Sequence, residues 1–216
     1  MNKLLKFKQT DDQKVYFVSD THYNHNPKWP VPLWAQRGYN SVEEMNEDEI
    51  TQINAIVRPN DILFHLGDIT LNCTEEQFEA FIARLNCKNI YLLWGNHNAP
   101  TWQIYKREIA SKYMDDIEVY PLRYKNVIFL GNYQEITVDG QYMILGHYPI
   151  SVFNYMKDGA WHLCGHSHYN FDPSTAENKT SKILDVGWEG LKRPYNMDEI
   201  RGIMNSKGIV AVDHHV

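Results

Sequence analysis

Residues 90–96 read IYLLWGN, five apolar or aromatic side chains running straight into a glycine and an amide. A run this short, bounded by glycine, fits a strand buried on both faces better than one side of a helix. The same shape recurs at VYFVSD (15–20), ILFHLGD (62–68), VIFLGN (127–132), YMILGH (142–147), WHLCGH (161–166) and ILDVG (183–187), with GIVAV (208–212) as a last candidate. Helical signals separate the early strands. Ser41 with Glu44 forms a capping box ahead of Val42, Met45, Ile53, Ile56 and Val57, and Thr74 with Gln77 forms another ahead of Phe78, Phe81, Ile82 and Leu85. Residues 100–114 open on a proline suited to a first helical turn and predict a third helix. Later the chain is richer in strands, with an Asp-Gly hairpin turn in VDGQY (138–142). The expected fold is α/β, an α/β/β/α sandwich of two mixed β-sheets flanked by helices, formed as one domain over residues 1–216.

At 216 residues the chain is long enough to bury a core, and 43% hydrophobic with 22% charged residues excludes a disordered chain. A net charge of −6 argues against an extended basic groove for long nucleic acid. Cys73, Cys87 and Cys164 are odd in number and lack a C-x-x-C pair, which points to reduced thiols and a cytoplasmic setting. No apolar leader core or membrane-length stretch is visible, so no membrane association is expected. Oligomeric state leaves no sequence signal.

The strongest strands all end in polar residues: Asp20-Thr21-His22, Gly67-Asp68, Gly95-Asn96-His97, Gly146-His147 and Gly165-His166-Ser167-His168. Ligands of open α/β sheets bind beyond the carboxyl ends of the strands, where glycine permits tight turns and close approach. Singly, Asp-x-His, Gly-Asp and Gly-His are more often chance or capped turns than metal sites, and the more specific Gly-Asn-His and Gly-His-x-His could also be turns. Together, two Asp, one Asn and four His at strand ends call for a cation, because burying them without one is costly. Asp20, His22, Asp68, Asn96, His147, His166 and His168 are too many for one zinc, and nitrogen and oxygen donors without thiolate suit Mn, Fe, Ni or Zn. Two divalent ions about 3.5–4 Å apart, sharing one carboxylate, would use all seven and clamp a phosphate ester.

The ordered series D-x-H, G-D, G-N-H, G-H and G-H-x-H resembles the calcineurin-like metallophosphoesterase superfamily, in particular its small bacterial and phage-type members. The segments SDTHYNH, VEEMNE, HLGDI, GNHN, GHYPI and GHSH carry that resemblance, and DVGWEG…RPY is similar to the segment that follows in such proteins. It implies one metal on Asp20, His22 and His168, a second on Asn96, His147 and His166, and Asp68 bridging them. It also implies two divalent cofactors, manganese first with Fe, Ni or Zn as alternatives, and a metal-bridging hydroxide as nucleophile. His97 matches the histidine that contacts phosphate and protonates the leaving oxygen. Asn98 stands where the family usually has Asp or Glu, and GDITLNC lacks the G-D-x-x-D-R-G of the protein phosphatases.

The expected partner is therefore a small phosphate ester, nucleotides included. Two other readings stay open, a non-catalytic metal-binding scaffold for protein partners and a nuclease acting on single strands. Residues 23–39 form a Pro- and aromatic-rich insertion in which Tyr23, Trp29, Trp34 and Tyr39 could stack a base and Arg37 could grip a second phosphate. Packing of its own aromatics is the commoner fate of such a loop. His25, Arg193 and Tyr195 are further candidates for substrate contact, whereas Asn46 reads as structural and His214 and His215 as a frayed tail.

Overall fold

The computed structural model describes residues 3–26, 31–71, 73–97, 101–112, 120–170 and 181–209. Among these, the buried apolar runs form two mixed sheets. The first contains β2 (Val15–Val18), β3 (Ile62–His65), β4 (Asn89–Leu93) and β6 (Val127–Gly131), all parallel. Its edges are antiparallel: β11 (Tyr195–Asn196) pairs with β2, and β5 (Leu122–Tyr124) with β6. The second sheet runs in the order β1 (Leu5–Phe7), β7 (Tyr133–Val138), β8 (Gln141–Gly146), β9 (Trp161–Cys164) and β10 (Ile183–Asp185). Only β7 and β8 are antiparallel there, joined at Asp139-Gly140, where both residues take the positive φ of a tight hairpin turn.

Alternation along the strands explains the layers. Phe17, Phe64 and Leu66 face the second sheet and meet Ile136, Met143, Leu145 and Leu163. Each such side chain removed from water contributes about 1.5–3 kcal/mol. Val18, Leu63, Ile90 and Leu92 face outward beneath α2 (Val42–Ile56), α3 (Glu75–Arg84) and α4 (Thr101–Lys112). The outer face of the second sheet carries Phe153 and Met156 from a segment with one 3-10 turn, Met156–Asp158, packed on Ile144, Cys164 and Ile183.

Both expected caps form. Thr74 and Gln77 close a reciprocal box, while Ser41 accepts the Glu44 N–H and Glu44 reaches back to the backbone N–H of Asn40. Two short helices lie near the strand ends, α1 (Leu33–Gln36) and α5 (Trp188–Leu191). A last helix, α6 (Met197–Asn205), inserts Ile200 and Met204 at the rim of the core between the sheets. The GIVAV candidate strand falls mostly outside the described residues, and Gly208 and Ile209 belong to no strand. Among the described residues, no helix is long and apolar enough to cross a membrane.

Candidate metal centre

Because β2, β3 and β4 are parallel, their carboxyl ends deliver Asp20, Asp68 and Asn96 to one edge of the first sheet. β8 and β9, parallel to each other, deliver His147, His166 and His168 from the second. The loops interlock through the backbone: Asp20 N–H donates to Gly67 O, His22 N–H to Asp68 O, and Gly165 N–H to His147 O. Glycine is required where they cross. A Cβ on Gly95 would lie 2.0 Å from Asp68 Oδ1, and one on Gly165 would lie 2.3 Å from Asp20 Oδ2.

Five of the seven expected donors take a left-handed backbone: Asp20 (φ 57°), His22 (54°), Asp68 (52°), His166 (70°) and His168 (49°). Side chains with a Cβ rarely adopt this conformation, and each instance costs of order 1 kcal/mol. The surrounding bonds hold it. Thr21 Oγ1 donates to Ile69 O and faces His65 Nε2 at 2.9 Å, pinning the Asp-Thr-His turn. Burial pushes the His65 imidazole down to about 3, which leaves it neutral there. Asp185 accepts the Tyr169 N–H and the Ser167 hydroxyl, fixing the turn that carries His166 and His168.

Two groups of donor atoms result. Asp20, His22 and His168 converge, and so do Asp20, Asp68 and His147, each group lying within 4.8 Å of one another. His22 Nε2 lies 3.1 Å from His168 Nε2 and 3.8 Å from Asp20 Oδ1. Asp20 is common to both groups, and Asp68 Oδ2, of the second, lies 3.7 Å from His22 Nε2 of the first and 3.4 Å from His147 Nε2. Asn96 Oδ1 is 3.0 Å from His147 Nε2 and 2.9 Å from His166 Nδ1.

The protonation pattern fits a cation. His147 Nδ1 faces the Leu66 carbonyl at 2.9 Å and His168 Nδ1 faces Glu189 Oε1 at 3.0 Å. Both acceptors lack hydrogens, so each Nδ1 carries a proton, and in the neutral rings the Nε2 lone pairs point into the centre. There they meet more acceptors: Asp68 Oδ2, Asn96 Oδ1 and the fully buried Asp20 Oδ1, which has no hydrogen-bond donor. Converging lone pairs of neutral imidazoles and a buried carboxylate oxygen without a donor suit a cation. Burial raises the Asp20 carboxyl to about 6, against the pull of His147 and His168. Burial would raise Asp68 as well, but its bond to His147 and that ring's charge hold it below the usual carboxylate range. His22 is driven well down by burial. The cysteines stand apart: Cys164, the one at a strand end here, directs its thiol to the Leu184 carbonyl.

His97 is exposed, and its backbone N–H donates to Asp68 Oδ1 at 2.8 Å. Its side chain lines a cleft of about 630 Å³ together with His22, His25, His168 and Lys192. Arg37 also borders the cleft, but its guanidinium is buried in contacts with Glu49, Glu189 and the loop after β2. Arg193 pairs with Glu199, and Tyr195 lies in β11 with its ring buried. In the 23–39 insertion Tyr23 stacks on Phe81, Tyr39 donates to Asp48, and Trp34 donates to Asn26. Trp29, Asn98, His214 and His215 lie outside the described residues. Sequence reading missed Glu189: the DVGWEG segment was visible, but nothing in it marks a carboxylate that meets His168. Burial alone would raise Glu189, yet the His168 bond and the Arg37 charge hold it at about 2.

Comparison with known proteins identifies the family and the fold. The family model described as calcineurin-like phosphoesterase matches residues 13–215. An uncharacterized protein of Methanocaldococcus jannaschii, MJ1445, is 26% identical over 200 residues, covering 92% of this chain and 95% of that protein. The crystal structure of a protein of unknown function from Aquifex aeolicus, AQ665, superposes with a TM-score of 0.60 at 20% identity, covering 88% of this chain and 99% of that one. This last likeness concerns the fold.

Proposed function

Since the chain belongs to the calcineurin-like phosphoesterase family, we propose that it is a metal-dependent hydrolase of small phosphodiesters or phosphomonoesters, nucleotides among them, working at a two-metal site. The observation that carries this reading is the convergence of Asp20, His22, Asp68, His147 and His168 in two donor groups around a buried Asp20 oxygen that has no hydrogen-bond donor, with Asn96 and His166 beside His147. Asp20, His22 and His168 would hold one ion, and Asn96, His147 and His166 the other, with Asp68 common to both. Bound there, two divalent ions, manganese in the first instance, supply Lewis acidity toward the phosphoryl oxygens and a nucleophile drawn from water.

The chain's own groups do the rest. Asp68 balances the charge between the two histidine sets and, through Oδ1, fixes the His97 backbone at the cleft rim. His97 is the exposed imidazole placed to give a proton to the leaving oxygen. His25 and Lys192 border the same cleft and supply positive or hydrogen-bonding character toward further phosphate or sugar oxygens. The cleft volume of about 630 Å³ suits a nucleotide-sized ligand rather than a long polymer.

The test is a panel of monoesters, linear diesters, cyclic nucleotides and dinucleoside polyphosphates, run on chelator-treated protein reloaded with Mn²⁺, Ni²⁺ or Zn²⁺. Turnover that appears only with metal is expected for at least one ester class. A metal-loaded protein that turns over none of them, and instead holds a stable protein partner, would favour the scaffold reading.

A further inference from the structure

Arginine has five N–H donors in a fixed planar fork, and on Arg37 four of them donate to oxygen while the guanidinium also pairs with Glu189. Nε donates to Glu189 Oε1 at 2.9 Å. One terminal nitrogen donates to Thr21 O at 2.7 Å and Glu49 Oε1 at 2.9 Å. The other donates to Asp20 O at 2.6 Å and contacts Glu189 Oε1 at 2.7 Å. A side chain so engaged, and buried, is committed to the protein's own acceptors.

Two of those acceptors are the backbone carbonyls of Asp20 and Thr21, inside the left-handed turn that presents Asp20 and His22. A third, Glu189 Oε1, also takes the Nδ1–H of His168 at 3.0 Å. Arg37 thus touches the supports of all three members of the Asp20, His22 and His168 group, and Glu49, fully buried on α2, anchors it from behind. The other set is supported differently: behind His147 stands the neutral Leu66 carbonyl, and neither Arg37 nor Glu189 touches it.

We propose that Arg37 and Glu189 are positioning residues that set the affinity of one ion only, the ion held by Asp20, His22 and His168. This rests on the two-metal reading above. A carboxylate behind a ligating imidazole fixes its tautomer and ring orientation and makes the facing nitrogen a better donor, and losing such a partner typically weakens metal binding by about 10–100-fold. The short helix α1 then carries a buried arginine, Arg37 at its C-terminal end, to the base of the centre.

The experiment is a Mn²⁺ titration of chelated wild type and Glu189→Gln, with free Mn²⁺ followed by electron paramagnetic resonance and thermal stability measured alongside. One class of site in Glu189→Gln should weaken by about 10–100-fold, while the other class keeps its wild-type affinity. Arg37→Lys should weaken the same class, because a lysine cannot bridge Glu189 and the two carbonyls at once. Equal weakening of both classes, or two classes unchanged, would overturn the proposal. If Glu189→Gln does not yield folded protein, Glu189→Asp, which retracts the carboxylate by one methylene, is judged by the same asymmetry. A wild type that binds no Mn²⁺ at all would overturn the two-metal reading itself, and so is distinguishable from failure of the positioning role.

Discussion

Replacing Asp68 with Asn is expected to lower phosphodiester turnover on the order of 10³-fold, about 4 kcal/mol of activation free energy, and to strip metal from the protein on desalting. The substitution keeps the shape of the side chain and an oxygen for the His97 N–H, 2.8 Å away in the native protein. What it removes is a negative charge 3.7 Å from His22 and 3.4 Å from His147. If Asp68 is shared between two ions, both lose a ligand at once, and no neighbouring carboxylate can replace it without leaving its own role. Asp20, the nearest alternative, already faces His22 and accepts the His166 N–H. The check is steady-state kinetics at saturating Mn²⁺ together with metal content after gel filtration. Wild-type turnover from Asp68→Asn would remove this residue from the centre.

His97→Ala should behave in the opposite way with respect to metal. It is expected to lower kcat by about 10²–10⁴-fold, the range for losing a positioned general acid, while metal content stays at the wild-type value. The difference follows from position. His97 is exposed on the cleft, its ring 5.5 Å from that of His22, and its contact with the donor set runs through the backbone. A leaving-group series separates protonation from mere contact. A nitrophenolate leaves without help, so its esters should suffer less from His97→Ala than esters with a sugar or alkyl leaving group. Equal losses across the series, or loss of metal, would contradict the role of acid.

These predictions rest on residues that sequence alone singles out, and it is instructive which ones it does and does not. Asp20, His22, Asp68, Asn96, His147, His166 and His168 are legible because each ends a short apolar run, and strand order then forces them together. The helix caps at Ser41 and Thr74 are legible for the same reason, since cap and capped residue are three apart. Glu189 is not. It meets His168 across 21 residues and Arg37 across 152, distances at which no local pattern carries information. Arg37 shows the limit from the other side. A cation in an aromatic loop reads as a phosphate grip, but only tertiary structure reveals Glu49, Glu189 and two carbonyls around it. The helix over Met197–Asn205 had its signal in the Asn196 and Glu199 capping box. That box follows a two-residue strand, too brief to stand out as an element in its own right.

The left-handed turns sharpen the physical picture. Five strained donors, several of them buried and facing other acceptors, form an arrangement that the apoprotein holds at a cost and that bound cations would relieve. The most direct measurement of this account is a Mn²⁺ titration of chelator-treated protein in which bound metal and phosphodiester hydrolysis are read from the same samples. Two ions per chain, with hydrolysis appearing as the second is bound, is the predicted result. Full hydrolysis by the metal-free protein, or by a protein saturated with a single ion, would contradict it.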